Sequence, residues 1–319
     1  MTGLRITSTE LTATQVSEVL ALVEAARLAD GVAPLSEHGM LHLRYDGTGD
    51  SAVSGGDDPP EPPRDFVVAT DGAIAGYAYL DPPSAEGEGG VTGELVIHPE
   101  RRRQGLGRAL TGELVAAADG HVLRLWAHGD LPAAVALARA TGFDRFRALW
   151  QMRRSLREPL DRPVLPAGLS LRTFVPGQDE DEWLGLNGRA FAKHPEQGGW
   201  TRHDLELREQ EPWFDPAGFF IAERDGRMTG FHWTKVHDPF LGEVYVVGVD
   251  PAEQGTGLGR ALTLAGLRHL RDLGLARAML YVDEDNVPAI RMYEALGFTQ
   301  ARVDAMYRSA SPGGRPPGG

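Results

Sequence analysis

The sequence predicts an α/β protein built of two tandem copies of one unit, each a central mixed β-sheet flanked by helices. Three observations predict it. A glycine-rich turn leading into a helix occurs twice, as QGLGRAL at 104–110 and QGTGLGRAL at 254–262. Each turn is preceded by a hairpin signal, Asp71-Gly72 or Asp225-Gly226, and followed by a Gly-Phe pair, Gly142-Phe143 or Gly297-Phe298. The spacings agree: 154 residues from Asp71 to Asp225, 152 from Pro99 to Pro251 and 155 from Gly142 to Gly297. A period near 150 residues is too long for a solenoid, so the repeat is a duplicated domain.

The elements follow in order. Residues 4–8 read as a strand and 12–30 as an amphipathic helix capped by Thr12 or Thr14. The stretch 46–64, DGTGDSAVSGGDDPPEPPR, is too rich in Gly, Pro, Asp and Ser to pack and reads as a flexible insertion. DFVVAT and AIAGYAYL form a hairpin, because Asp-Gly accepts the positive φ of a tight turn. A strand at 91–98, the glycine loop, a helix to about 119, a strand at 121–127 and a helix at 131–141 complete the copy. The proline-rich segment 155–168 reads as a linker, after which IAERDGRMTGFHW, EVYVVGVDP, the second loop and EALGF repeat the order. The expected domains are therefore 1–154 and 169–309, with a disordered tail at 310–319.

Composition narrows the function. A chain of 319 residues exceeds one hydrophobic core, and no apolar run approaches the roughly 20 residues of a membrane helix. The start, MTGLRITSTELTATQ, shows no secretory signal, and the absence of cysteine excludes disulfides, thiolate metal sites and a thiol nucleophile. A cytoplasmic monomer is expected. The net charge of −13 opposes nucleic-acid binding. The basic run Arg101, Arg102, Arg103 is either a solvated helix start or, beside the loop, a site for one small anion.

A glycine loop between strand and helix lets backbone N–H groups and the helix dipole meet an anion. The Lys-Ser/Thr of a nucleotide-hydrolysing loop is missing, and so is the GxGxxG opening of a dinucleotide fold. Gln254-Gly255-Thr256-Gly257-Leu258-Gly259, and Arg102 through Gly107, resemble the Q/R-x-x-G-x-G/A element of the GNAT superfamily of N-acetyltransferases. Asn286, Ala289, Tyr293, Gly297 and Phe298 resemble that superfamily's N-x-x-A-x-x-x-Y-x-x-x-G-F helix. The resemblance spans nearly the whole chain and implies acetyl-CoA as donor. It implies a cofactor site at Val247, Gly248 and Val249 for the acetyl carbonyl, and at Gln254, Gly255, Thr256, Gly257, Leu258, Gly259 and Arg260 for the pyrophosphate. Asn286, Val287, Pro288, Ala289, Ile290 and Arg291 complete that site. The first copy offers Leu95, Val96, Ile97, Arg103, Gln104, Gly105, Leu106, Gly107 and Arg108 in the same way.

HPEQGGW (194–200), GFHWTKVHDP (230–239), EVYVVGVDP (243–251) and LYVDEDN (280–286) further resemble the mycothiol synthase family. That resemblance implies transfer of acetyl to the cysteinyl amine of a cysteine–glucosamine–inositol acceptor. It points to Glu37, Glu196, Lys235, Glu243 and Tyr281 as residues that touch this small-molecule amine. Each of them could equally be an ordinary surface residue.

An α-amino group of pKa about 7.7–8.0 must lose a proton before it attacks a thioester. Glu243 is the candidate base, or else a solvent-facing carboxylate at a strand end. Tyr293 is spaced to protonate the departing thiolate, or else is a core aromatic beside Ile290 and Leu296. At an offset of 152 Glu243 corresponds to Val91, and at 155 Tyr293 corresponds to Ala138, so the first copy lacks both groups. His194, His232 and His237 fit no dense ligand spacing, and no metal is expected. Two further readings stay open. One is a tandem acetyltransferase for another amine, aminoglycoside-like or a protein N-terminus; the other is an acetyl-CoA-sensing module.

Overall fold

The computed structural model describes residues 5–8, 10–46, 63–83, 90–192 and 197–310. The insertion read at 46–64, except at its ends, lies outside the described residues, as do His194, Glu196 and the tail beyond Ala310. The chain divides into two compact units, Met1–Ala148 with Val303–Gly319, and Leu149–Arg302.

In chain order the first half forms β1 (Arg5–Ser8), α1 (Ala13–Asp30), α2 (Glu37–Leu41), β2 (Arg64–Thr70), β3 (Ala73–Leu80), β4 (Gly90–Ile97), α3 (Leu106–Ala117), β5 (Val122–Ala127), α4 (Pro132–Thr141) and β6 (Asp144–Ser155). The second forms β7 (Ser170–Thr173), α5 (Glu180–Ala190), α6 (Arg202–Glu209), β8 (Phe219–Arg224), β9 (Arg227–Asp238), β10 (Leu241–Val249), α7 (Leu258–Asp272), β11 (Arg277–Asp283), α8 (Val287–Ala295) and β12 (Thr299–Arg308). Local chemistry explains the boundaries. Thr12, not Thr14, caps α1, in a capping box with Gln15. Asp71-Gly72 and Asp225-Gly226 turn the two hairpins with φ of 52°/81° and 52°/76°.

Each unit is a mixed sheet covered on both faces. The first has the strand order β1-β2-β3-β4-β5-β12, and the second β6-β11-β10-β9-β8-β7. Among the described residues the β4·β5 and β10·β11 pairs are parallel and the other neighbours within each unit antiparallel. In the first unit α1 packs Val19 and Leu22 with Tyr77, Tyr79 and Val96, while α3 packs Leu110 and Leu114 with Leu80 and Leu123. In the second, Trp183 and Leu186 of α5 meet Phe219, Phe231 and Trp233, while α7 and α8 meet Leu280 and Val282. Each fully buried leucine-sized side chain contributes about 1.5–3 kcal/mol, so both faces stabilise the sheet.

The closing strands are exchanged. Ala305 of β12 pairs with Ala127 of β5, and Trp150 of β6 pairs with Val282 of β11. These are the same register once the repeat offset of 155 is applied to each partner. The sequence repeat turns over between residues 154 and 169, whereas the compact units turn over at Ala148/Leu149 and Arg302/Val303. Equivalent strands satisfy equivalent sheet edges.

Two backbone features prepare the site. The parallel pairing covers only Gly90–Gly93 with Val122–Leu125, and Leu241–Val244 with Arg277–Leu280. Beyond those residues β4 and β5, and β10 and β11, part. Tyr245 is also an extra residue in β10, because Thr234 pairs with Val244 and Trp233 with Val246. No such bulge interrupts β3·β4.

Candidate active site

Each glycine loop is built by the same local steps. After β10, Asp250 N–H donates to the Thr229 carbonyl at 2.8 Å, and Asp250 Oδ1 accepts from Ala252 N–H at 3.0 Å. This starts a short turn over Pro251–Glu253. Gly255 and Gly257 then take φ of 78° and 92°, and α7 begins with no side chain capping its N-terminus. Its first N–H groups are open to an anion. In the first unit His98 replaces Asp250 as the cap, and Arg103 (φ 64°) and Gly105 (φ 84°) stand where the second copy has two glycines. Holding arginine in this region costs of order 1–2 kcal/mol.

The predicted cofactor segments converge. Val247, Gly248 and Val249 lie on the parted length of β10, and Gln254 through Arg260 make the loop and the first turn of α7. Asn286 Oδ1 accepts from Ala289 N–H at 3.2 Å and starts α8, whose first turns carry Val287, Pro288, Ala289, Ile290 and Arg291. A Cβ on Gly259 would sit 3.7 Å from Val249 Cγ2 and 3.9 Å from Met292 Sδ, an ordinary contact. Gly259→Ala is therefore expected to leave thermal stability unchanged while weakening acetyl-CoA about tenfold, read by calorimetric titration. Unchanged affinity would move the pyrophosphate off this helix start. In the first unit a cavity of about 540 Å³ lies at the equivalent place, lined by Leu95, Val96, Ile97, Arg103, Gly105, Leu106, Gly107 and Arg108. Gln104, the remaining predicted residue, does not line it.

The candidate acid and base lie on opposite faces of the second sheet. Glu243 is buried and stands directly between Lys235 of β9 and Met279 of β11. Tyr281 follows on the Met279 face, 40% exposed, its hydroxyl accepting from Gln151 Nε2–H at 2.8 Å. Lys235 Nζ sits 4.2 Å from the Trp213 ring centre and 5.1 Å from that of Tyr245, so aromatic faces steady its charge. Tyr293 packs with Leu280 and Val282, on the other face. Burial pushes its hydroxyl up to about 12, and among the described residues that hydroxyl has no hydrogen-bond partner. Tyr293 is thus a core aromatic in its packing, with a hydroxyl that stays protonated at neutral pH. Glu37, first residue of α2, belongs to the other compact unit, and Glu196 lies outside the described residues.

The acetyltransferase (GNAT) family profile matches residues 40–143 and 187–298, once in each copy. The chain belongs to the GNAT family of acetyltransferases. Among relatives of this GNAT chain, a mycothiol acetyltransferase of Thermomonospora curvata is 58% identical over 95% of this chain and 96% of its own. Another, of Thermobispora bispora, is 58% identical over 91% of this chain and 94% of its own. The chain is also similar in fold to a tandem GNAT protein from the clavulanic acid biosynthesis pathway, with a TM-score of 0.72 at 23% identity, covering 98% and 100% of the two chains.

The structure corrects one correspondence within this GNAT repeat. Thr92, not Val91, is the counterpart of Glu243. Thr92 pairs with Arg124 as Glu243 pairs with Met279, and these partners are 155 apart. The extra residue at Tyr245 changes the offset from 151 before the bulge to 152 after it. Either way, no carboxylate occupies that place in the first unit.

Sequence reasoning also missed a buried acid there. Glu94, fully buried on the parted length of β4, holds His128 Nε2 at 2.8 Å, and His128 Nδ1 meets Asp304 of β12 at 3.1 Å. The other Glu94 oxygen accepts from Ser36 N–H at 2.9 Å, which fixes the start of α2 and so the place of Glu37. Burial alone would push His128 down; the Glu94 charge and the Asp304 hydrogen bond overrule it and hold the imidazole at about 10. Burial likewise pushes Glu94 up, and His128 with the Ser36 hydrogen bond holds it below the usual carboxylate value. No sequence pattern joins residues 94, 128 and 304, because the exchanged strand supplies the third.

This network has a measurable signature. His128→Ala is expected to destabilise the first unit by about 3–5 kcal/mol, since Glu94 is left buried and unpaired. The wild-type contribution of His128 is full below its unfolded pKa near 6.5 and is lost as pH rises through about 10. That of Glu94 is full above its unfolded value near 4.5 and is lost on acidification. Denaturant unfolding between pH 3 and 10 checks both. A His128→Ala loss that does not shrink towards pH 10 would contradict the charge assignment.

Proposed function

We propose that the second unit transfers acetyl from acetyl-CoA to the cysteinyl amine of a cysteine–glucosamine–inositol acceptor, giving mycothiol. The carrying observation is the disposition of Glu243 and Tyr293 on opposite faces of a sheet whose two central strands part beside them. The names of the relatives at 58% identity support the acceptor. Acetyl-CoA lies along the loop and α7, with its carbonyl on the backbone of Val247 to Val249. Glu243 takes a proton from the acceptor ammonium, and the freed nitrogen pair attacks the thioester carbon. The C–N bond forms, the C–S bond breaks, and the thiolate receives the Tyr293 proton. The second proton, shed by the nitrogen as it becomes an amide, returns through water to the tyrosinate. The chain has no cysteine to carry an acetyl group, so transfer is direct within a ternary complex.

Lys235 and Tyr281 line the acceptor side with Glu243, whose carboxylate suits a hydroxyl-rich cationic ligand. The first unit holds acetyl-CoA in its cavity without turning it over. Thr92 replaces the base, and Glu94 is committed to His128. The enzyme works as a monomer in the cytoplasm; among the described residues no helix is long and apolar enough to cross a membrane. Among those residues, too, no cluster of three potential ligands gathers to hold a metal. The test is to incubate the protein with acetyl-CoA and a panel of amines, followed by product masses. The panel holds the cysteinyl acceptor, an aminoglycoside and a peptide N-terminus. Preferred acetylation of either of the last two would replace the proposed acceptor.

A further inference from the structure

We propose that His237 is the positioning residue of the Glu243 base. The inference rests on the reading of Glu243 as proton acceptor and adds how that carboxylate is aimed. Two irregularities bracket Glu243 in the β9·β10 ladder. Tyr245 is extra on β10, and His237 is extra on β9, because Val236 pairs with Gly242 while Asp238 pairs with Leu241. Bulges re-aim side chains. Here the bulge brings His237 Nε2 to 2.6 Å from Glu243 Oε2. The imidazole is 31% exposed and the carboxylate side chain 8%, so His237 stands between the buried base and solvent.

Among the described residues Oε2 is held and Oε1 has no hydrogen-bond partner. An imidazole donating Nε2–H to Oε2 pins the carboxylate plane and leaves the Oε1 lone pairs for the acceptor ammonium. The proton removed from nitrogen goes to Oε1, and His237 neither gains nor loses one. The titratable and charged groups on this face are Lys235 of β9, Tyr245 of β10, Arg277 and Tyr281 of β11, Arg153 of β6 and, through Tyr245, Arg208 of α6.

The experiment is steady-state kinetics of His237→Ala and His237→Gln, alone and with Glu243→Gln, across pH 5.5–9 and with thermal melts of each. His237→Ala is expected to lower kcat about 10- to 100-fold, the range of one hydrogen bond to a charged group, with the KM for acetyl-CoA unchanged. His237→Gln, whose amide N–H can still donate to Oε2, recovers most of the rate. In the Glu243→Gln background His237→Ala costs nothing further. Wild-type kcat for His237→Ala, no rescue by glutamine, or an equal loss without Glu243 each overturns the positioning role. If Glu243→Gln is itself fully active, it is the reading of the base that fails.

Discussion

Glu243→Gln lowers acetyl transfer at neutral pH by about 10²–10⁴-fold, the usual worth of a general base. Glutamine keeps the volume and an oxygen that accepts from His237, so the loss reports basicity rather than packing. Glu243 is the buried carboxylate between Lys235 and Met279, beside the point where β10 and β11 part. The defect should ease as pH rises, because an α-amino group with pKa about 7.7–8.0 is then already neutral and needs less help. The paired control is Thr92→Val at the equivalent place in the first unit, which should leave turnover unchanged. Rates against pH on the cysteinyl acceptor decide the matter. Equal losses in the two variants, or a Glu243→Gln defect independent of pH, would remove Glu243 from the chemistry.

Tyr293→Phe is the second large effect. Phenylalanine fills the same space beside Leu280 and Phe298, and the hydroxyl gives up no protein partner, so folding should be unaffected. What is lost is the proton for the departing thiolate, worth about 10²–10⁴-fold in kcat, with acetyl-CoA affinity unchanged. Burial holds the hydroxyl at about 12, so it stays protonated through neutral and mildly alkaline pH. The wild-type rate should therefore show no alkaline limb from Tyr293 below that value. Unchanged turnover at saturating substrates would leave Tyr293 a packing residue alone.

Much of this was legible in the residues themselves. Asp-Gly pairs announce tight hairpins, and Gly255, Gly257 and Gly105 announce positive φ, because these are local steric demands on the chain. Repeated landmarks revealed two copies, and the Q-x-x-G-x-G and N-x-x-A-x-x-x-Y patterns pointed to the candidate cofactor segments and Tyr293. Sequence spacing could not resolve the one-residue bulge at Tyr245, so it matched Glu243 with Val91; only strand register restores Thr92. The Glu94–His128–Asp304 network, the contact of His237 with Glu243 and the exchange of β6 and β12 were equally illegible. Each depends on which strand edges meet, and that choice is made by pairing between segments far apart in the chain. Local pattern therefore determined the elements, the glycine loops and the candidate acid and base. Tertiary pairing decided which side chains share a face, which carboxylate is held ready beside the parted strands, and which is spent on holding a unit together.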